Sequence, residues 1–283
     1  MSLNLTQLDL STIKVVAVDL DGTSLNDAHQ LDPYTVKVYN ALMAKGIKLI
    51  VATGRGVNDV AMLAPLTPEY ALITYNGSII AKPSDLNYCR TLDPTAIKAI
   101  CDYPYDQDLF VNFYTKDLWF VNQNQEELAR FYSSSGSKFS YKSASHMIHE
   151  PIVKVFIVDP TYEHDRLAKI AQDLTSQIGT HVEAVFSGTY SLDFTAVKVN
   201  KLTAIQAYLD TLGLTADNLI AFGDSMNDYA MLTGAKYGFY LSNTPEFIKQ
   251  QIQPHTNCIA IGSYQDLATA KTLNQLFNLG CDA

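Results

Sequence analysis

Residues 15–23, VVAVDLDGT, end an apolar run on two aspartates, and a similar design recurs at two other places in the chain. Residues 49–55 read LIVATGR and residues 219–228 read LIAFGDSMND, so each apolar run leads directly into polar residues. Near-continuous apolar runs are typical of strands in parallel sheets, which are buried on both faces. Ligands bind beyond the carboxyl ends of such strands. The three segments therefore predict one crevice that receives carboxylates, a hydroxyl and turn amides.

The composition predicts a globular protein that does not bind nucleic acid. The chain has 283 residues, 47 % of them hydrophobic, and a formal net charge of -9. This length and apolar content suffice for a buried core in one large or two medium domains. Binding to nucleic acid needs clustered Lys and Arg, which are not evident, whereas one or two placed cations are enough for a small phosphate ester.

We also expect a cytoplasmic protein that does not enter a membrane. No apolar stretch approaches the ~20 residues of a membrane span, and the start lacks the pattern of a signal peptide. The cysteines are scattered and show no CxxC spacing, which favours reduced thiols over a disulfide framework or a zinc site. They are Cys89, Cys101, Cys258 and Cys281. The composition leaves the oligomeric state open.

Strand and helix patterns alternate over residues 13–80, which is the signature of a parallel sheet. The predicted strands are 14–18, 47–52 and 71–74, and the predicted helices are 32–45 and 57–64. Asp32 is a good N-cap for the first helix, Pro33 suits its first turn, and Gly46 suits a left-handed position after its end. We therefore expect an α/β fold with a Rossmann-like parallel-sheet core.

Between about residue 82 and residue 187 the pattern changes to strand pairs and helices. A hairpin is predicted over 109–121, and further elements are predicted at 153–158, 162–178, 182–186 and 190–194. After residue 198 the pattern of the core resumes. We predict a discontinuous core, residues 1–83 and 189–283, which is interrupted by an inserted α+β domain at residues 84–188.

Asp19 and Asp21 suit a reaction with two carboxyl groups. Because Gly22 gives the chain freedom to turn, Asp19 can face the crevice while Asp21 points another way. One carboxylate can attack a phosphoryl group, and a second can protonate the leaving oxygen and then activate water. The alternative is a plain turn, for which Asp and Gly are favoured residues.

Asp224 and Asp228 favour the catalytic interpretation over the plain turn. A hard cation such as Mg²⁺ prefers oxygen ligands. A carboxylate that attacks an anionic phosphate needs such a cation nearby. Together with Asp19 and Asp21, these residues predict a magnesium site at the end of the sheet.

Thr53, Gly54 and Lys201 are candidates for binding the phosphate. Thr53 can donate from its hydroxyl and Gly54 from its backbone, although Thr53 can also be an ordinary N-cap. Lys201 can bring a compact positive charge to the phosphate and to Asp19. Arg55 is explained as well by a structural ion pair.

Two asparagines have a structural and a functional interpretation. Asn76-Gly77 is first of all a hairpin turn. Asn243 precedes a predicted helix and can cap it, or it can contact the substrate at the mouth of the crevice.

The four segments resemble the four ordered motifs of the haloacid dehalogenase superfamily, and the match to its Cof-type phosphatases is close. They are Asp19-Leu20-Asp21-Gly22-Thr23, Thr53-Gly54-Arg55, Lys201 and Gly223-Asp224-Ser225-Met226-Asn227-Asp228. The insertion has the place and length of that subfamily's α/β cap domain, so the resemblance covers essentially the whole chain.

The resemblance implies a role for each matching residue. Asp19 would be the nucleophile and a Mg²⁺ ligand, and Asp21 would be the general acid and base, with its backbone carbonyl on the metal. Asp224 would be a further metal ligand and Asp228 would support the site. Thr53, the Gly54 amide and Lys201 would hold the phosphoryl group, and Asn227 would contact phosphate or substrate.

The chain departs from the family pattern at two positions near these motifs. Ser24 stands where leucine is usual, and Leu202 follows Lys201 where glycine is common. The second departure leaves Lys198 as an alternative to Lys201. The residues around Asn243 are more aromatic than usual, so the mouth of the crevice can differ in shape.

The leading hypothesis is a Mg²⁺-dependent phosphatase that hydrolyses small phosphomonoesters through an aspartyl phosphate. Sugar phosphates are the first expected substrates, followed by flavin mononucleotide and pyridoxal phosphate. One alternative is a phosphosugar mutase, in which a sugar hydroxyl replaces water. Another is a phosphosugar-binding regulator without turnover.

Overall fold

A parallel sheet forms the centre of the fold. The structure, a computed structural model, describes residues 5–121, 139–188 and 190–282. The strands of this sheet are β1 Val15–Val18, β2 Lys48–Ala52, β3 Ala71–Thr74, β4 Ile79–Lys82, β11 Leu219–Gly223, β12 Tyr237–Tyr240 and β13 Cys258–Ala260. Their order is β13-β12-β11-β1-β2-β3-β4. Neighbours are parallel except β3 and β4, so the predicted α/β fold is confirmed.

Helices cover both faces of this first sheet. The helices of the described chain are α1 Pro33–Ala44, α2 Pro94–Asp102, α3 Ala144–Met147, α4 His164–Ile178, α5 Lys201–Thr211, α6 Tyr229–Gly234, α7 Glu246–Ile252 and α8 Ala268–Phe277. Residues of α1 and α8 pack on one face, and residues of α5, α6 and α7 pack on the other. Because both faces are covered, β1 has no exposed side chain, and its uninterrupted apolar sequence follows from this.

A second sheet is formed by residues between β4 and β11. Its strands are β5 Phe110–Tyr114, β6 Trp119–Val121, β7 Ser140–Tyr141, β8 Lys154–Val158, β9 Val182–Gly188 and β10 Ser191–Ala196. Their order is β7-β6-β5-β8-β10-β9, and the pairs are antiparallel except β6 with β7. The predicted hairpin corresponds to β5 and β6. Helices α2 and α4 pack on one face, and the other face carries Phe110, Trp119 and Val158.

The structure differs from the sequence prediction at residues 57–64. In place of a helix, this segment consists of turns and a short 3-10 helix, Ala61–Leu63. Gly56, Asn58 and Asp59 favour turns over helix. The apolar spacing that suggested a helix instead places Met62 and Leu63 in the core.

The second sheet runs past the predicted domain boundary at residue 188. Strand β10, Ser191–Ala196, pairs with β8 and β9 and so belongs to this sheet. The division of the chain into a core of residues 1–83 and 189–283 and an insertion at 84–188 stays a prediction.

The described helices include none that is both long enough and apolar enough to cross a membrane.

The predicted boundaries of α1 are confirmed in detail. Asp32 is the N-cap, and its carboxylate accepts a hydrogen bond of 2.8 Å from the backbone N–H of Tyr34. Gly46 follows the helix with φ of +87°. The helix then packs through Val38 and Leu42 onto the sheet, which fixes the segment that leads into β2.

We expect the substitution Asp32→Ala to lower the free energy of unfolding by about 1 kcal/mol, because it removes the acceptor for the first turn of α1. Urea denaturation followed by circular dichroism measures this change. Asp32→Asn keeps a side-chain acceptor and serves as the control, with stability close to that of the wild type. Equal losses in both variants would contradict the capping role.

Candidate active site

The three polar segments meet because their strands are neighbours. Strand β1 lies between β11 and β2, with Val18 in register with Phe222 on one side and Val51 on the other. The chain therefore leaves each strand at the same edge of the sheet. Asp19 and Thr53 directly follow the ends of β1 and β2.

An acidic cluster of Asp19, Asp224 and Asp228 lies at this edge. One carboxylate oxygen from each residue lies within 4.8 Å of the others, and all three side chains are buried. Lys201 is the first residue of α5, and its Nζ is 2.5 Å from Asp19 Oδ1 and 2.6 Å from Asp228 Oδ1. The structure thus brings four of the predicted residues together.

The structure distinguishes the two candidate lysines. Lys201 is completely buried between two carboxylates. Lys198 is exposed, and its backbone N–H donates to Glu183 Oε1 at 2.8 Å. The sequence left this choice open, and the structure places Lys201 at the acidic cluster.

The acidic cluster and Lys201 together contain more carboxyl groups than ammonium groups. Burial raises the pKa of the Asp224 carboxyl to about 7, and the charge of Asp228 adds to this rise. Burial also raises the pKa of Asp19, which the Lys201 charge opposes. Burial lowers the pKa of Lys201, but Asp19 and Asp228 outweigh it and raise that pKa overall. One ammonium faces three carboxylates, and a divalent cation with oxygen ligands fits this donor set.

Hydrogen bonds fix the carboxylates in place. Asp228 Oδ2 accepts from the backbone N–H groups of Asp224 and Ser225 at 2.9 and 3.0 Å. Asp224 accepts from the Thr23 hydroxyl at 2.8 Å and from the Asn243 side-chain amide at 3.1 Å. Asn243 therefore lies at the acidic cluster and does not cap α7, whose N-cap residue is Pro245.

Gly22 is required by the close approach of Asp224. Its φ is +73°, a conformation that L side chains rarely adopt, and a Cβ at this position would lie 2.4 Å from Asp224 Oδ2. The glycine thus allows the turn of the chain after Asp21 and leaves room for the Asp224 carboxylate.

Asp21 lies apart from the acidic cluster and is held by Arg55. Arg55 donates from Nε to Asp21 Oδ2 at 2.7 Å and from Nη2 to Oδ1 at 2.6 Å. Burial raises the pKa of Asp21, but these bonds, the Arg55 charge and His29 outweigh it and lower that pKa overall. Arg55 also pairs with Asp59, so the structural ion pair considered from the sequence is present.

Residues 53–55, Thr53-Gly54-Arg55, form a tight loop after β2, which we call the 53–55 loop. The backbone N–H of Arg55 donates to Thr53 Oγ1 at 3.1 Å. A Cβ at Gly54 would lie 2.9 Å from Asn76 Oδ1, so Asn76 packs directly against the loop. Thr53 is buried, and Gly54 lines the cavity beside Asp19.

Asn76 has a larger role than the sequence indicated. It lies in the turn between β3 and β4, as predicted, with φ of +55°. Its side chain accepts from Asn227 Nδ2 at 3.0 Å and donates to Asp193 Oδ2 at 2.6 Å. Sequence reasoning missed Asp193 and its neighbour Lys154, because each is a single charged residue within a strand of the second sheet.

A cavity of about 630 Å³ connects the site to the second sheet. Asp19, Asp21 and Asn227 line it from the first sheet and its loops. Its aromatic lining consists of Tyr75, Tyr114, Trp119, Phe156 and Tyr190. A cavity of this size and mixed character is typical of a site for a small molecule.

Comparison with known proteins agrees with the family resemblance that the sequence motifs indicated. A family model described as haloacid dehalogenase-like hydrolase matches residues 16–259. A Cronobacter sakazakii protein named HMP-PP phosphatase is 29 % identical over 255 residues, covering 89 % of this chain and 92 % of its own length. A solved haloacid dehalogenase-like hydrolase from B. subtilis has a TM-score of 0.78 at 22 % identity, covering 93 % of this chain and 100 % of that one.

A solved sugar phosphatase of HAD subclass IIB also shares the fold, with a TM-score of 0.77 at 19 % identity. It covers 94 % of this chain and 99 % of its own. The family match begins within β1 and ends within β13, so it includes the acidic cluster and both sheets. The chain belongs to the haloacid dehalogenase-like hydrolase family and is a phosphatase that acts on phosphate monoesters.

Proposed function

We propose that this phosphatase hydrolyses small phosphomonoesters with Mg²⁺, through an aspartyl phosphate formed on Asp19. The observation that carries the proposal is the acidic cluster, buried beside Lys201 and adjoining a cavity of about 630 Å³. A carboxylate in this position is fixed, desolvated and within reach of a small ligand.

Asp19 is the proposed nucleophile. Lys201 holds its Oδ1 at 2.5 Å, and the side chain lines the cavity. In the proposed reaction a carboxylate oxygen of Asp19 forms a bond to phosphorus as the bond from phosphorus to the ester oxygen breaks. The Lys201 ammonium offsets negative charge on the carboxylate and on the transferred group.

Asp21 is the proposed acid and base. It would give a proton to the leaving oxygen in the first step and take one from the attacking water in the second. In this structure Arg55 occupies both oxygens of its carboxylate. These bonds favour the charged carboxylate, so Asp21 takes up a proton more easily when Arg55 releases one of its oxygens.

Asp19 and Asp224 are the proposed side-chain ligands of Mg²⁺, Asp228 supports the site, and the backbone carbonyl of Asp21 is assigned to the metal by family resemblance. The cation would offset the charge of the phosphate so that a carboxylate can approach it. The excess of carboxylates over ammonium groups in the acidic cluster supports this assignment.

Thr53, the Gly54 amide and Lys201 are proposed to hold the phosphoryl group. Asn227 lines the cavity, so it is proposed to contact phosphate or substrate. Asn243 donates to Asp224 at 3.1 Å and to the Gly22 carbonyl at 2.9 Å, which supports a role in positioning the acidic cluster.

The second sheet is proposed to act as the cap domain over the substrate. Residues of β5, β6 and β8 line the same cavity as Asp19. Covering the substrate limits the access of bulk water to the reacting groups. Sugar phosphates are the first proposed substrates, followed by flavin mononucleotide and pyridoxal phosphate. HMP-PP joins this group because a relative is named for it.

We expect Mg²⁺-dependent phosphate release from at least one of these compounds, and a loss of several orders of magnitude in Asp19→Asn, which lacks the nucleophile. The measurement is phosphate release with Mg²⁺ or EDTA. Asp117→Asn changes an exposed acid of the same cavity and is the matched control. Release that persists in Asp19→Asn would contradict the covalent step, and transfer to an added sugar without phosphate release would favour a mutase.

We expect Asp21→Asn to discriminate between leaving groups. With an alkyl phosphate, kcat/KM should fall by about 10²–10⁴-fold, because the leaving oxygen needs a proton. With p-nitrophenyl phosphate, kcat/KM should fall less, since nitrophenolate leaves without protonation. Steady-state kinetics on both substrates measures the difference. Equal losses would show that Asp21 does not act as the acid.

We expect Mg²⁺ to stabilise the protein, because it offsets charge among the buried carboxylates. A concentration about 100 times the Kd should raise the free energy of unfolding by about 2.7 kcal/mol. Thermal unfolding with Mg²⁺ and with EDTA measures this change. Asp224→Asn should reduce it and Asp117→Asn should not. The same shift in Asp224→Asn as in the wild type would place the metal elsewhere.

A further inference from the structure

Lys154 connects the second sheet to the 53–55 loop. It is the first residue of β8 and is 5 % exposed. Its Nζ donates to the backbone carbonyl of Gly54 at 3.1 Å and lies 2.9 Å from Asp193 Oδ2. A cation of the second sheet is therefore bonded to the main chain of the loop that follows β2.

The surroundings of Lys154 keep it in one position. Asp193 on β10 is completely buried, so its carboxylate needs a buried positive partner. The same oxygen, Oδ2, accepts from Asn76 Nδ2 at 2.6 Å, and the Lys154 ammonium lies 4.7 Å from the centre of the Phe156 ring. Groups from both sheets thus determine where the ammonium lies.

All three carbonyls of the 53–55 loop accept hydrogen bonds. Asn76 N–H donates to the Thr53 carbonyl and Tyr75 N–H to the Arg55 carbonyl, each at 3.0 Å. These two bonds come from the turn between β3 and β4. The Gly54 carbonyl lies between them and accepts from Lys154.

The hydrogen bond from Lys154 to the Gly54 carbonyl also orients the N–H group on the other side of the same peptide bond. Because a peptide unit is planar, the Gly54 carbonyl sets the direction of the Arg55 N–H in the same unit. That N–H donates to Thr53 Oγ1 at 3.1 Å. Because Thr53 Oγ1 accepts this hydrogen bond, its own O–H group points elsewhere and can donate to another acceptor.

We propose that Lys154 is a positioning residue, which orients the Gly54–Arg55 peptide and thereby the Thr53 hydroxyl for binding of the phosphoryl group. The inference rests on the proposed function of the 53–55 loop. Phosphate affinity then depends on contact between the second sheet and this loop. Lys154 does not touch the phosphate in this role.

The test compares orthophosphate affinity in Mg²⁺, by calorimetry, with kcat and KM for p-nitrophenyl phosphate. Lys154→Met keeps the length of the side chain and removes its donors. We expect about tenfold weaker phosphate binding and a similar rise in KM, with a smaller change in kcat, as for one lost hydrogen bond. Lys154→Arg restores a donor and should recover part of the affinity.

Lys154→Met leaves Asp193 buried without its cation, so it can also destabilise the protein. The double variant Lys154→Met/Asp193→Asn removes both charges and keeps an acceptor for Asn76. It should unfold close to the wild-type temperature and still bind phosphate about tenfold more weakly. Lys142→Met breaks an ion pair with Glu150, which lies after β7 and outside the cavity lining, and should leave phosphate affinity unchanged.

A folded double variant that binds orthophosphate as tightly as the wild type would overturn the inference and leave the proposed function intact. If the wild type releases no phosphate from any substrate, the proposed function fails, while the affinities of the variants for orthophosphate still judge the role of Lys154. If the wild type releases phosphate but binds orthophosphate too weakly to measure, the KM for p-nitrophenyl phosphate decides, and a wild-type KM in the folded double variant would overturn the inference.

Discussion

Three carboxylates buried beside one ammonium group are the constraint on which the site depends. Asp19 and Asp224 directly follow two neighbouring strands, Asp228 lies in the short helical turn after the second, and Lys201 is the first residue of α5. Like charges at this spacing repel in a buried environment, so the arrangement needs positive charge. Lys201 supplies part of it, and the proposed Mg²⁺ would supply more.

The covering of this cluster is shared between the two sheets. The loops that follow strands of the first sheet carry the acidic cluster, and the second sheet supplies an aromatic wall and a buried lysine. Burying Lys154 and Asp193 costs desolvation free energy. Hydrogen bonds to Gly54 and Asn76 hold the pair in a fixed geometry. In the proposed role, the pair contributes to the geometry of the 53–55 loop.

Local sequence patterns predicted most of the parallel sheet and failed at residues 57–64. Continuous apolar runs identify β1, β2 and β11 because a strand covered on both faces has no polar side. The signals at Asp32 and Gly46 are equally local, since capping involves residues within one turn. Residues 57–64 contain helix formers such as Ala61 and Leu63, but Asn58 and Asp59 before them favour turns, and in the structure only a short 3-10 helix, Ala61–Leu63, forms.

The sequence by itself determined the strand ends and the residues that follow them, because these depend on neighbours along the chain. The order of four short motifs also indicated the family without knowledge of the fold. Only the tertiary structure decided between Lys198 and Lys201, placed Asn243 on Asp224 and joined Lys154 to Gly54. These contacts link residues far apart in the chain, and their partners are single polar residues in ordinary strands, turns and helix starts. The residue types alone do not predict these contacts, because the fold has to bring the partners within hydrogen-bond distance.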